Sequence, residues 1–258
     1  MFRPRIIPVL TLRGNGLVKT LRFQKRRARY IGDPINAVRL FNDFEADELI
    51  FLDITASEEN RCILPELVKK IGEEAYMPFA AGGGISNISQ IHQLISAGAE
   101  KVILNTACYR FPGLIHEASR QFGNQSIVAA VDIKKDLFGQ NRIYISDGTT
   151  RIKAGFEQYI KSLEEMGAGE LFVNSIDRDG TMSGYDLELI KLISAMVSIP
   201  VIACGGAGNL SDMKKVTSYA NASAAGAGSL FVYHGNRNGV LINYPEKQEL
   251  SDMLKFSI

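Results

Sequence analysis

The chain has 258 residues, close to the roughly 250 typical of one α/β barrel, although length alone also permits two domains of about 125 residues. Its 29 basic and 28 acidic residues nearly cancel, which excludes a general attraction to nucleic acid or to an anionic membrane. No apolar stretch approaches the roughly 18 residues of a membrane helix, and no signal-peptide pattern opens the chain. Three widely spaced cysteines argue against a disulfide framework, so we expect a cytoplasmic protein.

Eight short apolar runs recur along the chain, each followed by a polar turn and a longer helical pattern. The predicted strands are Arg5–Leu12, Glu48–Ile54, Met77–Ala81, Lys101–Leu104, Ser126–Ile133, Glu170–Ser175, Pro200–Ala203 and Ala224–Val232. The predicted helices are Pro34–Phe44, Ile63–Ala75, Ile88–Ala97, Phe111–Phe122, Ile152–Met166, Asp186–Met196 and Leu210–Tyr219. Because the strands are continuously apolar, they are typical of parallel strands covered on both faces. The pattern predicts a closed (β/α)8 barrel or, alternatively, a doubly wound open sheet.

An internal repeat favours the barrel. The strand that begins at Glu48 resembles the one that begins at Glu170, 122 residues later, and a glycine cluster recurs at the same separation. Two similar halves of four βα units are most simply accommodated in one barrel, with half-barrels at about 1–123 and 124–258. No linker rich in Pro, Gly or Ser separates the halves. We therefore predict one α/β domain over residues 1–258, a TIM barrel with an internal twofold repeat.

The glycine clusters after the third and seventh predicted strands indicate anion binding. Glycine lets backbone N–H groups approach an oxygen-rich ligand, and a helix that begins just afterwards directs its positive end there. Polar groups at the ends of the fourth and eighth strands would complete two cradles, although they could equally cap the following helices. We predict a phosphorylated small-molecule ligand with a phosphate at each end. The candidate phosphate-binding residues are Gly83, Gly84, Asn105 and Thr106 in one half, and Gly205, Gly206, Gly228 and Ser229 in the other.

The motifs at the strand ends resemble those of one family. In chain order they read IIPVLTL, ELIFLDITAS, AAGGGI, KVILNTA, AAVDIK, NSIDRDGTMSGYD and IACGGAG, from about Arg5 to Val232. They are similar to the successive strand ends of the cyclase subunit of imidazole glycerol phosphate synthase. The resemblance implies a twofold-symmetric barrel that receives ammonia from a glutaminase partner. Such a barrel uses the ammonia to cleave and cyclise a bis-phosphorylated ribonucleotide.

The family's functional residues can be matched to this sequence one by one. The resemblance implies catalytic roles for Asp132 and Lys19. It also adds Asp179 and Gly180 to the phosphate-binding residues. The family uses two opposed aspartates, at the ends of the first and fifth strands, as general acid and base. Thr11 replaces the first of these aspartates. A hydroxyl does not hold and release a proton near neutral pH as a carboxylate does, so we expect this chain to be a very weak cyclase.

Charges of alternating sign begin strands one, two, four and six at the opposite end of the predicted barrel. They are Arg5, Glu48, Lys101 and Glu170. These four side chains can form a closed ring across the barrel floor. The resemblance implies that the ring is the gate for ammonia and that a glutaminase docks around it to form a heterodimer. A structural ion-pair plug is the alternative.

Three functional hypotheses follow from these features. The first is a cyclase subunit of a glutamine amidotransferase complex. The second is implied by a resemblance to a paralogous branch of that family, associated with amidation of surface-polysaccharide sugars: the barrel conducts ammonia without cyclising and serves an ATP-dependent enzyme that converts acetamido to acetamidino sugars. Thr11 favours this second hypothesis, as does an apolar run that ends at Pro245 in place of a long final helix. The third is a phosphosugar isomerase on the same barrel, which would need the same aspartate pair.

The remaining polar residues have two interpretations each. The basic run from Arg22 to Arg29 is either a solvated loop or a site of anionic substrate capture. Asp53 is either a cap at a strand end or a ligand contact, and Asp177 is interpreted as a cap. The three histidines lack the spacing of a metal site, so we expect neither a metal nor a cofactor: His92, His116 and His234.

Overall fold

The computed structural model of the chain describes residues 3–235 and 237–254. Eight parallel strands surround one axis, and the first of them hydrogen-bonds to both the second and the eighth, so the barrel is closed. This closure confirms the predicted (β/α)8 barrel and excludes the open sheet. The strands are β1 (Arg5–Arg13), β2 (Leu49–Asp53), β3 (Phe79–Gly82), β4 (Lys101–Leu104), β5 (Ile127–Lys135), β6 (Glu170–Ser175), β7 (Val201–Cys204) and β8 (Ala224–Ala227).

Helices cover the outside of the barrel. They are α1 (Pro34–Asp43), α2 (Pro65–Glu74), α3 (Ile88–Ser96), α4 (Gly113–Phe122), α5 (Phe156–Glu165), α6 (Leu187–Ser194), α7 (Leu210–Ser218) and α8 (Lys247–Leu254). Several begin where a short polar side chain accepts a hydrogen bond from a backbone N–H group of the first turn, as Asp33, Asn87, Asp186 and Asn209 do. Within the described ranges, no helix has the length and apolar character needed to cross a membrane.

The apolar core has two layers. The larger layer lies between the strands and the helices, which bury one face each. The smaller layer fills the barrel interior and includes Ile7, Ile50, Val128, Phe172 and Ile202, all essentially inaccessible to solvent. These side chains lie along the strands between their charged starts and their polar ends. The barrel is therefore a packed column with chemistry confined to its two ends.

Additional short elements occur at matching places in the two halves. A hairpin made of Gly16–Lys19 and Arg29–Gly32 follows β1, and another made of Asn141–Ile145 and Thr150–Arg151 follows β5. Short helices follow the fourth and eighth strands, at Thr106–Arg110 and Ser229–Val232. This correspondence supports the proposed duplication, and the division into halves at 1–123 and 124–258 stays a prediction.

Three expected elements differ from the structure. The predicted strand Ala224–Val232 is wrong after Ala227, because the chain turns at Gly228 and residues Ser229–Val232 form a helix. The helix expected from Ile152 begins only at Phe156, because Thr150–Arg151 forms a strand of the hairpin. After Pro245 the chain does form a helix, α8, although it has only eight residues.

Candidate active site at the mouth of the barrel

A pocket opens at the carboxyl ends of the strands, where barrel enzymes carry their active sites. Its empty space is about 1020 Å³ with the open mouth included. It brings together nine of the residues predicted from the sequence: Thr11, Lys19, Gly83, Gly84, Asn105, Thr106, Asp132, Asp179 and Gly228. The other four predicted phosphate-binding residues do not line it: Gly180, Gly205, Gly206 and Ser229.

Asp132 is a buried carboxyl group at the end of β5. Its pKa is raised to about 8, mainly by burial and also by the negative charges of Asp147 and Asp179, which together outweigh a hydrogen bond from Asn105. The Nδ2 atom of Asn105 lies 3.1 Å from an Asp132 carboxylate oxygen. Because this pKa lies close to neutrality, the group can both hold and release a proton under physiological conditions.

The other aspartates of the pocket differ from Asp132 because each has a cationic partner. Asp53 pairs with Arg61 and also accepts hydrogen bonds from the backbone of Thr55 and Ala56, so it caps the turn after β2 as one interpretation predicted. Asp147 pairs with Lys25 at 2.9 Å. Asp179 pairs with Lys19 at 3.0 Å. Among the described residues, Asp132 has no cation within salt-bridge distance.

Thr11 stands near the end of β1, on the rim of the same pocket. Its hydroxyl donates a hydrogen bond to the backbone carbonyl of Val18 in the adjoining hairpin strand. The hydroxyl hydrogen is therefore already used in a hydrogen bond within the chain. Where the family resemblance implies a carboxylate, Thr11 thus makes a structural hydrogen bond in this protein.

Lys19 lies in the hairpin after β1, with its ammonium group buried beside Asp179. Burial lowers the pKa of Lys19, but the Asp179 carboxylate outweighs this effect, so the pKa is raised on balance and the amine stays charged. The amine also lies against Gly228, where a side-chain Cβ would approach Nζ to 2.9 Å. Glycine at 228 therefore leaves room for a cation beside the start of the eighth-strand helix.

Close contacts within the chain require glycine at positions in both glycine clusters, independently of any ligand. Gly84 has φ +63°, and a Cβ there would lie 1.8 Å from the Arg61 carbonyl oxygen. In the second half, a Cβ at Gly206 would lie 2.2 Å from the Gly184 carbonyl oxygen. Only glycine fits such positions, so these residues shape the loops whether or not a phosphate binds.

The hydroxyls at the ends of β4 and β8 have different environments. Thr106 Oγ1 accepts a hydrogen bond from the backbone N–H of Ser146 at 2.9 Å. Ser229 Oγ is buried and has no hydrogen-bond partner among the described residues. A buried polar atom without a partner is costly, so a hydroxyl of this kind indicates a place for a ligand or water.

The opposite end of the barrel carries the ring of four charges that the sequence predicted. Arg5 pairs with both Glu48 and Glu170, and Lys101 lies 3.0 Å from Glu48 and 3.2 Å from Glu170. The two acidic side chains are almost inaccessible to solvent. The four charges therefore form a closed, internally neutral ring across the barrel floor.

The basic residues after the first hairpin strand make contacts in two different places. Lys25 bridges Asp147 and Glu58 and so joins the loops that follow β1, β2 and β5 above the pocket. Arg29 lies over the ring of Tyr233 and donates to the carbonyl of Asn238. The loop is thus tied to its neighbours across the mouth rather than fully solvated.

Several polar residues of the pocket were not identified from the sequence, among them Asp147, Asn174 and Cys204. Asp147 lies in the second hairpin, a segment without a recognisable motif. Asn174 is the last residue but one of β6 and Cys204 is the last residue of β7, and the two pair in register with each other. Their position at strand ends is the signal that would have identified them. Cys204 is buried, and burial raises its pKa to about 12, so its thiol is protonated.

The histidines lie away from the pocket. His92, His116 and His234 are all solvent-exposed. Within residues 3–235 and 237–254, no cluster of three or more His, Cys, Asp or Glu side chains is arranged to hold a metal ion. Asp177, interpreted as a cap, accepts a hydrogen bond from the backbone N–H of Lys135 at 2.9 Å.

Comparison with known proteins agrees with this geometry. Residues 5–238 match the family model described as histidine biosynthesis protein. The chain is 44% identical over 250 residues to hisF2 of Pseudomonas aeruginosa, provisionally named an imidazole glycerol phosphate synthase subunit, covering 97% of this chain and 99% of that one. It is also 44% identical over 236 residues to imidazole glycerol phosphate synthase subunit HisF of Alkaliphilus metalliredigens, covering 91% and 92% of the two chains. The chain therefore belongs to the histidine biosynthesis protein family and is a relative of the HisF subunits.

Proposed function

We propose that this chain is the ammonia-receiving barrel subunit of a glutamine amidotransferase complex and that its own cyclase activity is weak. The proposal rests on the combination of two features. The ring of four charges is present at one end of the barrel, whereas threonine replaces one of the family's two catalytic aspartates at the other end. The ring of Arg5, Glu48, Lys101 and Glu170 closes one end of the barrel, whereas Thr11 at the other end is bonded to Val18.

The charge ring supports a glutaminase partner on the N-terminal face. Burying ions costs solvation free energy, and an apolar plug would close the floor at least as well. A ring of side chains held only by ion pairs can open by rotation of Lys101, whereas packed apolar side chains cannot. Ammonia made by a docked glutaminase would then enter the barrel axis and reach the mouth pocket.

The mouth pocket supports a ligand that carries phosphate. Lys19 supplies a buried positive charge, and Thr106 after β4 and Gly228 after β8, which both line the pocket, can supply a hydroxyl and a backbone N–H group as donors. The substrate of the cyclase reaction, a bis-phosphorylated ribonucleotide, carries a phosphate at each end. Asp132 is the group in the pocket that can transfer a proton near neutral pH.

A second candidate function follows from Thr11. With one of the two carboxylates absent, ammonia that reaches the mouth can serve a further enzyme instead of a cyclisation. That enzyme would be the ATP-dependent amidation enzyme that converts an acetamido sugar to an acetamidino sugar. Under this candidate function, Asp132 has no catalytic partner, and the barrel conducts ammonia without transforming a bound substrate.

The test is glutamine-dependent delivery of ammonia through the barrel. The chain is combined with a HisH-type glutaminase, and ammonia that emerges at the mouth is compared with glutamate formed by the glutaminase. Lys101→Glu puts a third carboxylate into the ring and should reduce delivery more than tenfold while complex formation persists. Lys69→Glu, on the exposed face of α2, is the control and should change neither. Unchanged delivery in Lys101→Glu would contradict the proposal.

A further inference from the structure

The hairpin that follows β5 forms a small sheet at the mouth of the barrel, and the two faces of this sheet differ in character. The end of β5 pairs with Asn141–Ile145, which pairs in turn with Thr150–Arg151. Side chains alternate between the faces along each strand, and residues directly opposite each other share a face. One face therefore carries Ile133, Ile143 and Ile145, which are buried in the layer between the barrel and its helices.

The other face continues upward from the mouth pocket. It begins with Asp132, which lines the pocket, and two residues further along β5 it carries Lys134. Arg142 is directly opposite Lys134, and Arg151 is directly opposite Tyr144, which in turn pairs with Asp132. We call this surface the mouth face of the hairpin. Beyond the pocket, it presents mainly cations.

A further cation extends the mouth face. The backbone N–H of Ile152 donates a hydrogen bond to the carbonyl of Ile143 at 3.0 Å, so the pairing continues past Arg151. Lys153 therefore follows Arg151 on the same face, as Lys134 follows Asp132 on β5. Lys134, Arg151 and Lys153 are all exposed.

The cations of the two faces differ in their partners. Among the described residues, no carboxylate lies within salt-bridge distance of Lys134, Arg151 or Lys153. Lys135, the neighbour of Lys134 in the chain, points to the opposite face and lies 2.8 Å from Asp186. The hairpin therefore neutralises a cation on its outer side and leaves three cations unpaired on the side of the mouth.

The opposition of Lys134 and Arg142 carries a cost. Like charges directly opposite each other destabilise an antiparallel pair of strands. Asp136 lies 2.7 Å from Arg142 and offsets part of this repulsion, but it leaves Lys134 unpaired. An anion that contacts both cations would remove the remaining repulsion. The pair thus indicates a place for an anionic group.

The spread of the cations limits the kind of anion. Neighbouring strands lie about 4.8 Å apart, so the cations on three strands extend over about 10 Å. One phosphate group carries a charge of about −1.5 to −2 and would contact only part of this surface. Two adjacent phosphate groups would match both its extent and its charge.

We propose that the mouth face of the hairpin is a binding site for the diphosphate group of a ligand, with Lys134, Arg142, Arg151 and Lys153 as the residues that hold it. None of the phosphate-binding residues predicted from the sequence belongs to this hairpin, so the site is separate from the two cradles. A ligand held there can extend along β5 into the pocket, towards Asp132. The inference does not depend on delivery of ammonia through the barrel.

The experiment is a titration of the isolated chain with inorganic pyrophosphate, followed by NMR of the backbone amides. Orthophosphate is titrated in parallel, and sodium chloride keeps the ionic strength constant. We expect saturable shifts at residues 134, 142 and 151, with an affinity for pyrophosphate at least tenfold higher than for orthophosphate. Shifts confined to residues 83–84, 105–106 and 228–229 would place pyrophosphate in the cradles and overturn the proposal. Equal affinities for the two anions at the hairpin would also overturn it.

Variants of exposed side chains define the site without disturbing the core. Lys134→Gln and Arg151→Gln should each weaken pyrophosphate binding severalfold, and the double variant should weaken it at least tenfold. Lys135→Gln is the matched control, because it removes a cation from the same strand but from the opposite face. Its affinity should equal that of the unmodified chain. Unchanged affinity in the double variant, or an equal loss in Lys135→Gln, would contradict the assignment of the mouth face.

Discussion

The ammonium group of Lys25 lies 2.9 Å from a carboxylate oxygen of Asp147, and the two residues are 122 residues apart in the chain. This is the separation that relates Glu48 to Glu170 at the barrel floor. The pair therefore joins corresponding loops of the two sequence halves directly above the pocket. Both loops contain residues with left-handed backbone, including Phe23 at φ 59° and Asp147 at φ 57°, which is a costly conformation for residues other than glycine.

The loop pairing predicts that Lys25→Met opens the mouth without unfolding the barrel. The variant removes the cation that bridges Asp147 and Glu58, while the side chain keeps most of its length. Amide hydrogen exchange in residues 21–28 and 146–150 should accelerate severalfold, and exchange in the barrel strands should stay unchanged. The thermal midpoint should change little, because partly exposed ion pairs contribute little to stability.

The matched control is Lys69→Met, which breaks the exposed pair with Glu73 on α2. Exchange in the two mouth loops should be unaffected in this variant. Equal exchange in Lys25→Met and the unmodified chain would show that the ion pair does not hold the loops together.

The orphaned hydroxyl of Ser229 leads to a prediction about phosphate. Because Ser229 Oγ is buried without a partner, Ser229→Ala removes an unsatisfied group and should leave the unfolding free energy the same or slightly higher. If the hydroxyl donates to phosphate, the same change should weaken binding of inorganic phosphate severalfold. Calorimetric titration and urea denaturation measure the two effects. A loss of stability with unchanged phosphate affinity would assign Ser229 a purely structural role.

Gly206→Ala would be a poor probe of the same cradle. The new Cβ would collide with the Gly184 carbonyl, so the variant should lose stability whether or not a ligand binds there. The comparison shows why the glycine clusters are ambiguous in sequence: the same residues are needed for close backbone contacts and for phosphate approach.

Asp132 should make stability depend on pH. Its pKa is raised from 3.8 to about 8 by burial, so between these values the folded chain holds a proton that the unfolded chain releases. The unfolding free energy therefore falls as pH rises through this window, with a slope of at most about 1.4 kcal/mol per pH unit from this group, and the loss is complete above the folded pKa. Asp132→Asn removes the effect, so the variant should gain in relative stability from pH 5 to pH 8.

Urea denaturation at several pH values measures the difference between the two chains. Asp136→Asn provides the contrast. Burial raises the pKa of Asp136, but its bond to Arg142 outweighs this effect, so the pKa lies below the ordinary value. Asp136 is therefore ionised in both states from pH 5 to pH 8, and its variant should show a constant difference. A constant difference for Asp132→Asn would mean that Asp132 is already ionised in the folded chain at pH 5.

The sequence predicts the barrel and much of its mouth because these features are periodic or local. Continuous apolar runs indicate parallel strands, and polar residues that end such runs, as Asp132 and Asn105 do, must meet at one end of a barrel. The pairing of Lys25 with Asp147 was not predictable in this way, because it depends on the conformations of two loops. The hydrogen bond from Thr11 to Val18 depends on a hairpin whose register only the tertiary structure sets.

The sequence also could not predict that Asn174 Oδ1 is buried without a hydrogen-bond partner among the described residues. Whether a buried amide has a partner depends on every side chain around it. Ser229–Val232 was misinterpreted as strand for a related reason. An apolar run of four residues fits a strand or a helical turn equally well, and the turn at Gly228 decides between them.

The last prediction concerns Thr11 and the cyclase reaction. With free ammonia and the bis-phosphorylated substrate, the unmodified chain should cyclise very slowly, because loss of one positioned acid or base typically costs about 10²–10⁴-fold in rate. Thr11→Asp restores a carboxylate at the end of β1. An ionised carboxylate cannot donate to the Val18 carbonyl as the threonine hydroxyl does, so the new side chain should turn towards the pocket and face Asp132. We expect the rate to rise at least tenfold.

Two further variants decide how such a gain is to be understood. Thr11→Asn has nearly the same size as Thr11→Asp but cannot exchange a proton, so it should show no gain. Asp132→Asn placed on Thr11→Asp should abolish the gain, because it again leaves only one of the two opposed carboxylates. A fast cyclisation by the unmodified chain that survives Asp132→Asn would contradict the entire assignment and require another proton-transfer group in the pocket. An inactive but folded Thr11→Asp chain would favour the conducting role, since the pocket would then differ from a cyclase by more than one side chain.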